Sequence, residues 1–538
     1  MRFQATLLSF GLFMAWGQEV YEGGQPCEPT CEQSALLVSS VKKDLDIGRL
    51  DDGPQWQHLL QVSSVKKGPG IGLLDDGPQG QQPASDATGS KFTGVPFRAA
   101  PHNSANMPCA VANCNKAALH LKALDKIRAA GAHCKRRNWA VVTTINDPTP
   151  ATEDLARSGQ WCIVVVGDVS GPSKFQLGDA EAQSSIVFLS AKFQQELEPL
   201  SGFVANLPWK SFGRKNCGYL VAVANGAETI WDFDDDNKLI VESLPVPLDT
   251  SLEVRVAPGP GALVDNVSVA NIYDAFDCSV YPCWPRGFPL SQVRSGVAPL
   301  QDWKSEHVRI GMLQSLVDQD PDVDAVLRLT GQQASNIHFK KEIQGALALP
   351  PFVFCPANAQ ATLHHRDAFW ALLLPVTVSG RVADIWRSYF AQRLFWDVGL
   401  HLAFAGPFVR QDRNGHDFSA DLDAEGPLYA KTEALISFLW SWNSTSPSIV
   451  ERAQELWAAA YERGYVEKGD LKLQQLWLGA LQSADYEFPR PVTPNPSPQW
   501  QPRDAKTTSL AQSNIRFDDD VLRQPAPEQG NRRSNKIL

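Results

Sequence analysis

Three consecutive carboxylates, Asp234, Asp235 and Asp236, directly follow the β-branched and aromatic run Glu228–Phe233. They close the stretch SFGRKNCGYLVAVANGAETIWDFDDDN, from Ser211 to Asn237. Side chains alternate along an extended strand, so Asp234 and Asp236 are expected to share a face, with Asp235 on the other. Two hard carboxylate oxygens in that arrangement suit a divalent cation, Mn²⁺ or Mg²⁺, carrying a diphosphate. The basic pair Arg214 and Lys215, near a helix N-terminus, would help position the phosphates. A bare D-x-D also occurs as a solvated acidic turn, and this chain has others at Asp322/Asp324, Asp421/Asp423 and Asp518–Asp520. Placement directly after an apolar strand singles out Asp234–Asp236 as the site.

The elements that must hold these groups flank them. Ser211 reads as an N-cap, and Cys217, Leu220, Val221 and Ala224 recur at helical spacing until Asn225-Gly226 stops the helix. Upstream, Trp139–Ile145, Trp161–Val166 and Ile186–Leu189 are short apolar runs separated by turn and helix formers. Such strands, alternating with helices, predict an α/β fold with a mostly parallel sheet covered on both faces. Sheets of that kind bind ligands at the carboxyl ends of their strands. Thr143, Thr144, Asn146 and Asp168 fall at those ends with the three aspartates, although each taken singly also suits a turn or cap. Neither G-x-G-x-x-G nor G-x-x-x-x-G-K-[ST] occurs, which disfavours a dinucleotide fold and a P-loop kinase.

Several motifs match a known family in order: FGRKN-x-GYL from Phe212, DFDDDN from Asp232, WPRGFP from Trp284 and RVADIWRSY from Arg381. From about Asn138 to Arg490 the chain resembles the STELLO-like glycosyltransferases, known from Golgi proteins that support plant cellulose synthesis. The resemblance implies a GT-A-like fold in which a D-x-D motif binds metal and sugar diphosphate. It assigns Asp234 and Asp236 to the metal, and Thr143, Thr144 and Asp168 to the base and ribose of a nucleotide sugar, UDP-linked by expectation. Arg214, Lys215, Asp234 and Asp235 complete the expected donor-binding set. The acceptor would be a glycan or protein, with a polysaccharide synthase as a further partner.

At 538 residues the chain has room for two or three domains. A net charge of −10 argues against nucleic acid as its general partner. Arg2 followed by the apolar run Ala5–Trp16 has the size of a signal-peptide core or short anchor, so residues 1–17 are expected to direct the chain into the secretory pathway, by resemblance the Golgi lumen. LLVSSVKKDLDIGRLDDGPQ from Leu36 recurs with small changes from Leu59, carrying Ser39 to Ser63 at a period of 24. Two copies rich in Gly, Pro and Asp read as part of a flexible stem over 18–115. Cys27/Cys31, Cys109/Cys114 and Cys278/Cys283 are close enough in sequence to be disulfides, whereas Cys162 and Cys217 read as buried thiols. Asn266 and Asn443 head N-x-[ST] sequons, useful only to a secreted chain.

The GT-A-like domain is expected over 116–375. Within it, Gln319–Thr330 reads as a turn and a strand, with Asp322 and Asp324 in the turn. Arg286 suits either a phosphate or acceptor hydroxyl, or a structural carboxylate. His364 and His365 read as a surface pair, or as a source of one more metal ligand. From Gly380 the pattern turns helical, so a smaller helical region is expected over 376–488 before a disordered tail, 489–538. Arg381, Asp384 and Arg387 share a helix face, either as an ion-pair ladder or in an acceptor site. Asp384 is the candidate general base, which an inverting transfer requires. Asp470 reads as the N-cap of a late helix. These readings converge on a metal-dependent glycosyltransferase, with a non-catalytic assembly factor for a polysaccharide synthase, or a nucleotide-sugar mutase, as alternatives.

Overall fold

A computed structural model describes residues 121–492, apart from 243, 245–251, 257–262, 265–266, 294–303, 332–335, 341–344 and 413–416. The proposed leader, the stem with its repeat, the tail beyond Val492, and the pairs Cys27/Cys31 and Cys109/Cys114 lie outside the described residues; the first residues expected in the tail are placed, with Val492 N–H donating to Asp397 O at 2.8 Å. The helices of seven or more residues are α1 (Leu121–Gly131), α2 (Pro150–Arg157), α3 (Ala191–Leu197), α4 (Lys215–Ala224), α5 (Gly380–Val398), α6 (Phe418–Ala424), α7 (Gly426–Ser441), α8 (Ile449–Glu462) and α9 (Lys468–Ser483). The strands are β1 (Asn138–Thr143), β2 (Cys162–Val166), β3 (Ile186–Leu189), β4 (Thr229–Phe233), β5 (Asn237–Leu239), β6 (Leu252–Val256), β7 (Leu263–Val264), β8 (Val267–Val269), β9 (Lys304–Asp318), β10 (Leu347–Ala348), β11 (Val353–Phe354), β12 (Ala361–His365) and β13 (Leu400–Gln411).

Ten strands form one sheet in the order β3-β2-β1-β4-β12-β9-β6-β10-β13-β5, and β7, β8 and β11 form a small second one. The parallel arrangement expected of the sheet runs from β3 through β2 and β1 to β4. At β12, which returns from the proline-rich loop at Pro350–Pro356, pairing with β4 becomes antiparallel. Alternation along the strands feeds two cores. Trp139, Val141, Val164, Val166 and Ile230 face one, and Ala140, Val142, Ile163, Val165 and Trp231 face the other, so both faces are covered as the apolar strands required. The first core continues without a break into the helical region, where α5 is buried on nearly every side and packs with Leu456, Trp457 and Trp477 of α8 and α9. Gly218 lets α4 lie directly on the sheet, because a Cβ there would sit 2.6 Å from Val141 and 2.7 Å from Val166.

Several local expectations need correction. Gln319–Thr330 ends in a helical turn, Ala325–Thr330, capped by the Asp324 side chain on Leu327 N–H; a capping carboxylate favours helix over strand here. Asp470 does not cap its own helix, which starts at Lys468; its buried carboxylate instead accepts from the backbone of Val376 and Thr377. Cys162 is bonded to Cys134, tying β2 to the segment after α1, whereas Cys217 is a buried free thiol and Cys278 pairs with Cys283.

Candidate functional site

The site begins where β4 stops. Its last residue is Phe233, and Asp234–Asn237 closes a tight turn in which Asn237 N–H donates to Asp234 O at 3.2 Å. The alternation expected of Asp234 and Asp236 therefore does not carry through, because it holds only while the backbone stays extended. The three carboxylates instead point three ways. Asp234 lies 3.5 Å from the Lys215 ammonium. Asp235 accepts from the Thr144 hydroxyl at 2.5 Å and from the Asn146 amide at 3.0 Å. Asp236 accepts from the Gln411 amide at 2.9 Å.

Two cavities flank this turn and share Asn146 and Asp235. The first, about 350 Å³, sits over the ends of β1 and β2 and is lined by Thr143, Thr144, Asp168, Arg214 and Asp235. The second, about 370 Å³, is lined by Asp235, Asp236, Lys238, Asp412 and the start of α2 at Thr149. The register that pairs Thr143 with Val166 and Val141 with Asp232 brings the ends of β1, β2 and β4 to one edge. Asp168, just past β2, accepts from Lys210 N–H at 2.8 Å, which fixes the loop that forms the far wall of the first cavity.

Beneath the turn lies a buried ionic cluster. Asp232, fully enclosed in β4, meets the Lys215 ammonium at 2.6 Å, the Arg387 guanidinium at 3.0 Å and the Tyr219 hydroxyl at 2.6 Å. Burial alone would raise Asp232, but Lys215 and Arg387 hold it below the ordinary carboxylate range. Asp234 goes the other way. Burial, and then repulsion from Asp236, Asp232 and Asp235, push it up to about 7 against the opposing pull of Lys215. Its side chain remains 38% exposed, so water moderates that effect.

Other expected site residues sit elsewhere than expected. Lys215 is fully buried and also donates to Phe233 O and Ala359 O, so it braces the turn from below and does not reach a diphosphate. Arg214 lines the first cavity, yet its guanidinium is committed to Gln194 and Leu207 O and stacks 3.4 Å over Trp209. Asp384 is buried; it receives Arg286 at 2.9 Å and the backbone N–H of Ala359 and Ile385. So enclosed, Asp384 cannot meet an acceptor hydroxyl and is a structural carboxylate, not the expected general base. No ladder joins Arg381, Asp384 and Arg387, which pair instead with Glu425, Arg286 and Asp232 on three other segments. Arg286 takes the structural carboxylates Asp322 and Asp384, not a ligand. His364 is buried opposite Ile230, and burial followed by Arg387 depresses it to about 3, so it is a neutral core residue away from the turn. Lys210, Lys238 and Asp412 went unread in the sequence. Lys238, two residues past Asp236, is the one with a visible signal.

Among the described residues no three His, Cys, Asp or Glu side chains form a site that could hold a metal ion alone. A site with one or two carboxylates, completed by substrate phosphate and water, is nevertheless how Mg²⁺ is commonly held. Such a cation would neutralise the neighbouring carboxylate charge that, after burial, contributes to raising Asp234. Asp235 and Asp236, which face the cavities, fit that role better than the expected Asp234/Asp236 pair.

Comparison with known proteins agrees with these motifs. The model for the family of STELLO glycosyltransferases matches residues 381–533. Two Arabidopsis thaliana proteins described as probable glycosyltransferases, STELLO1 and STELLO2, are each 32% identical to the chain, over 373 and 371 residues. The alignments take in 67% of this chain and 46% of each relative, so the chain spans about half the length of the curated relatives it matches. A crystal structure of a mycobacterial protein aligns at 9% identity and a TM-score of 0.25, covering 60% of this chain and 81% of the other, which is too distant to bear on the fold. With the motifs from Phe212 to Tyr389 in order and this similarity over two-thirds of its length, the chain belongs to the STELLO-like family.

Proposed function

We propose that the chain is a metal-dependent glycosyltransferase that moves a sugar from a nucleotide-sugar donor, UDP-linked, to a glycan or protein acceptor in the secretory pathway. The observation that carries this reading is the pair of cavities joined at Asn146 and Asp235 along the carboxyl edge of the parallel strands. One cavity has room for a nucleoside and the other for a sugar, with the carboxylate turn between them where a diphosphate would lie. The relatives' description as probable glycosyltransferases supports the reading.

Thr143, Thr144 and Asp168 would contact the base and ribose. Thr144 and Asn146 orient Asp235, and Gln411 orients Asp236, so both carboxylates are fixed before a donor arrives. Those two would hold Mn²⁺ or Mg²⁺, whose contribution when bound is to offset the charge growing on the leaving diphosphate. Lys238, on the wall of the second cavity, supplies a further positive charge to the same region. The compartment is supported by the disulfides Cys134–Cys162 and Cys278–Cys283. It is supported also by the exposed sequon at Asn443, in the loop between α7 and α8.

Calorimetry against UDP- and GDP-sugars, with and without Mn²⁺, tests the proposal. Metal-dependent binding of a UDP-sugar is expected, and Asp235→Asn should abolish it with little change in melting temperature. A protein that binds no nucleotide sugar under any of these conditions would refute it.

A further inference from the structure

The second cavity holds one carboxylate that does not belong to the aspartate turn. Asp412 is the first residue after β13, and it faces the same space as Asp235, Asp236 and Lys238. Its position follows from the sheet. β13 runs antiparallel to β5 with Arg410 opposite Lys238 and Gln411 opposite Asn237. Asp412 follows directly on that register, at the end of the ladder where the aspartate turn begins. Gln411 fixes the join, because its amide donates to Asp236 at 2.9 Å and its carbonyl oxygen accepts from Gln360 at 2.6 Å.

The other carboxylates near the site are spent. Asp232 is locked by Lys215 and Arg387, and Asp322 and Asp384 by Arg286. Asp235 and Asp236 face the expected cation. Asp412 differs from all of these, since its side chain is 55% exposed and its cationic partner, Arg410, is 3.6 Å away and 44% exposed. A pair that open to water holds its members loosely. The carboxylate is nevertheless aimed, because the Gln319 amide donates to its Oδ1 at 2.8 Å. Gln319 is itself anchored through its carbonyl, which accepts from Ile337 N–H at 2.8 Å. The result is an oriented carboxylate on the wall of the sugar-side cavity, one strand away from the diphosphate position.

We propose that Asp412 is the general base that deprotonates the acceptor hydroxyl, and that transfer inverts the anomeric centre; this rests on the glycosyltransferase reading above. In the step, the acceptor oxygen forms its bond to the anomeric carbon as the bond from that carbon to the diphosphate oxygen breaks. The bonding pair leaves with the nucleoside diphosphate, and the acceptor proton passes to an Asp412 carboxylate oxygen. Among the described residues lining this cavity the carboxylates other than Asp412 are Asp235 and Asp236, which face the expected cation; with none left over as a covalent nucleophile, the step is a single back-side displacement, which inverts the centre. Gln319 is a positioning residue, acting through Asp412. Water can stand in for the acceptor, which gives a readout without knowing the natural one.

The test uses the full chain with Mn²⁺ and UDP-glucose, UDP-galactose and UDP-N-acetylglucosamine. Donor affinity is measured by calorimetry, hydrolysis by release of UDP, and the anomer of the freed sugar by proton NMR. Asp412→Asn is expected to keep donor Kd within about twofold while hydrolysis falls by roughly 10²–10⁴-fold, the scale of a lost general base. The half-exposed position lets the variant fold, so its melting temperature should match wild type; Gln319→Ala should lose part of the rate and none of the affinity. The freed sugar should appear first as the inverted anomer. Wild-type hydrolysis with full activity in Asp412→Asn overturns this proposal alone, as does a retained anomer, or a loss of donor affinity that matches the loss of rate. Donor binding by wild type with no turnover at all also overturns it. Failure of the wild type to bind any nucleotide sugar overturns the glycosyltransferase reading, and this one with it.

Discussion

Replacing Asp234 with Asn should stabilise the metal-free protein at pH 8. The carboxyl sits in a turn with Asp235 and Asp236 above Asp232, and burial with this repulsion raises it from 3.8 to about 7. A carboxyl raised in the folded state binds its proton more tightly folded than unfolded. Stability therefore falls as pH rises from about 4 to about 7, and the cost is present in full above 7. Taken at face value the shift would be worth roughly 4 kcal/mol. The side chain is 38% exposed, however, and screening by water leaves about 1 kcal/mol. Little is lost in exchange, because Lys215, the one nearby cation, keeps Asp232 at 2.6 Å and is 3.5 Å from Asp234. The backbone bonds of the turn, Asp234 N–H to Gln360 O and Asn237 N–H to Asp234 O, do not involve the side chain. In thermal melts with EDTA, wild type should lose a few degrees between pH 5 and pH 8 relative to Asp234→Asn, the size expected of about 1 kcal/mol in a large domain. Equal melting curves across that range, or a variant less stable than wild type at pH 8, would refute the charge-crowding account of the turn.

Lys215→Ala should cost about 3–5 kcal/mol in urea unfolding, because it leaves Asp232 buried without its nearest cation; a loss below 1 kcal/mol would show that Arg387 alone suffices. Asp384→Asn should lower stability by a comparable amount, since Arg286 is then left with one of its two buried carboxylates. Any loss of activity in that variant should track its unfolded fraction, and a folded but inactive Asp384→Asn would restore the residue to the chemistry. If residues 1–17 act as the proposed leader, the full chain expressed in a eukaryotic cell should carry a glycan at Asn443 that a glycosidase removes and Asn443→Gln prevents. Identical gel mobility of those two proteins before deglycosylation would count against the compartment.

The parallel half of the fold was legible because each of its strands is apolar on both faces, and few other structures accept Cys162–Val166 or Trp139–Val142. The place of the site was legible for the same reason, since polar residues that interrupt such strands mark their carboxyl ends. The roles of single charges were not legible. Arg381, Asp384 and Arg387 lie at three-residue steps, a spacing that promises mutual contact, yet each is drawn to a separate partner far along the chain. A buried helix face offers its charges to whatever packs on it, and no local rule names that partner. Lys215 shows the same limit. Next to Arg214 it read as a phosphate ligand, but its buried position at the start of α4 hands its ammonium to Asp232.

The misplaced alternation at Asp234 has a wider consequence. A strand that continued through Asp236 would give two carboxylates to one face and leave Asp235 outside. The strand stops instead at Phe233, and the turn that follows turns Asp235 toward Thr144 and Asn146, just past β1, and Asp236 toward Gln411 on β13. The three aspartates thereby join the parallel end of the sheet, which carries the first cavity, to its mixed part, where β13 meets β5 beside the second. An extended strand could have served only one of them. The buried Lys215–Asp232–Arg387 cluster directly beneath holds the turn at that junction, so the electrostatic strain in Asp234 sits on a rigid support. A carboxylate cluster held apart in this way concentrates negative charge where the two cavities meet, the place at which the proposed cation would act.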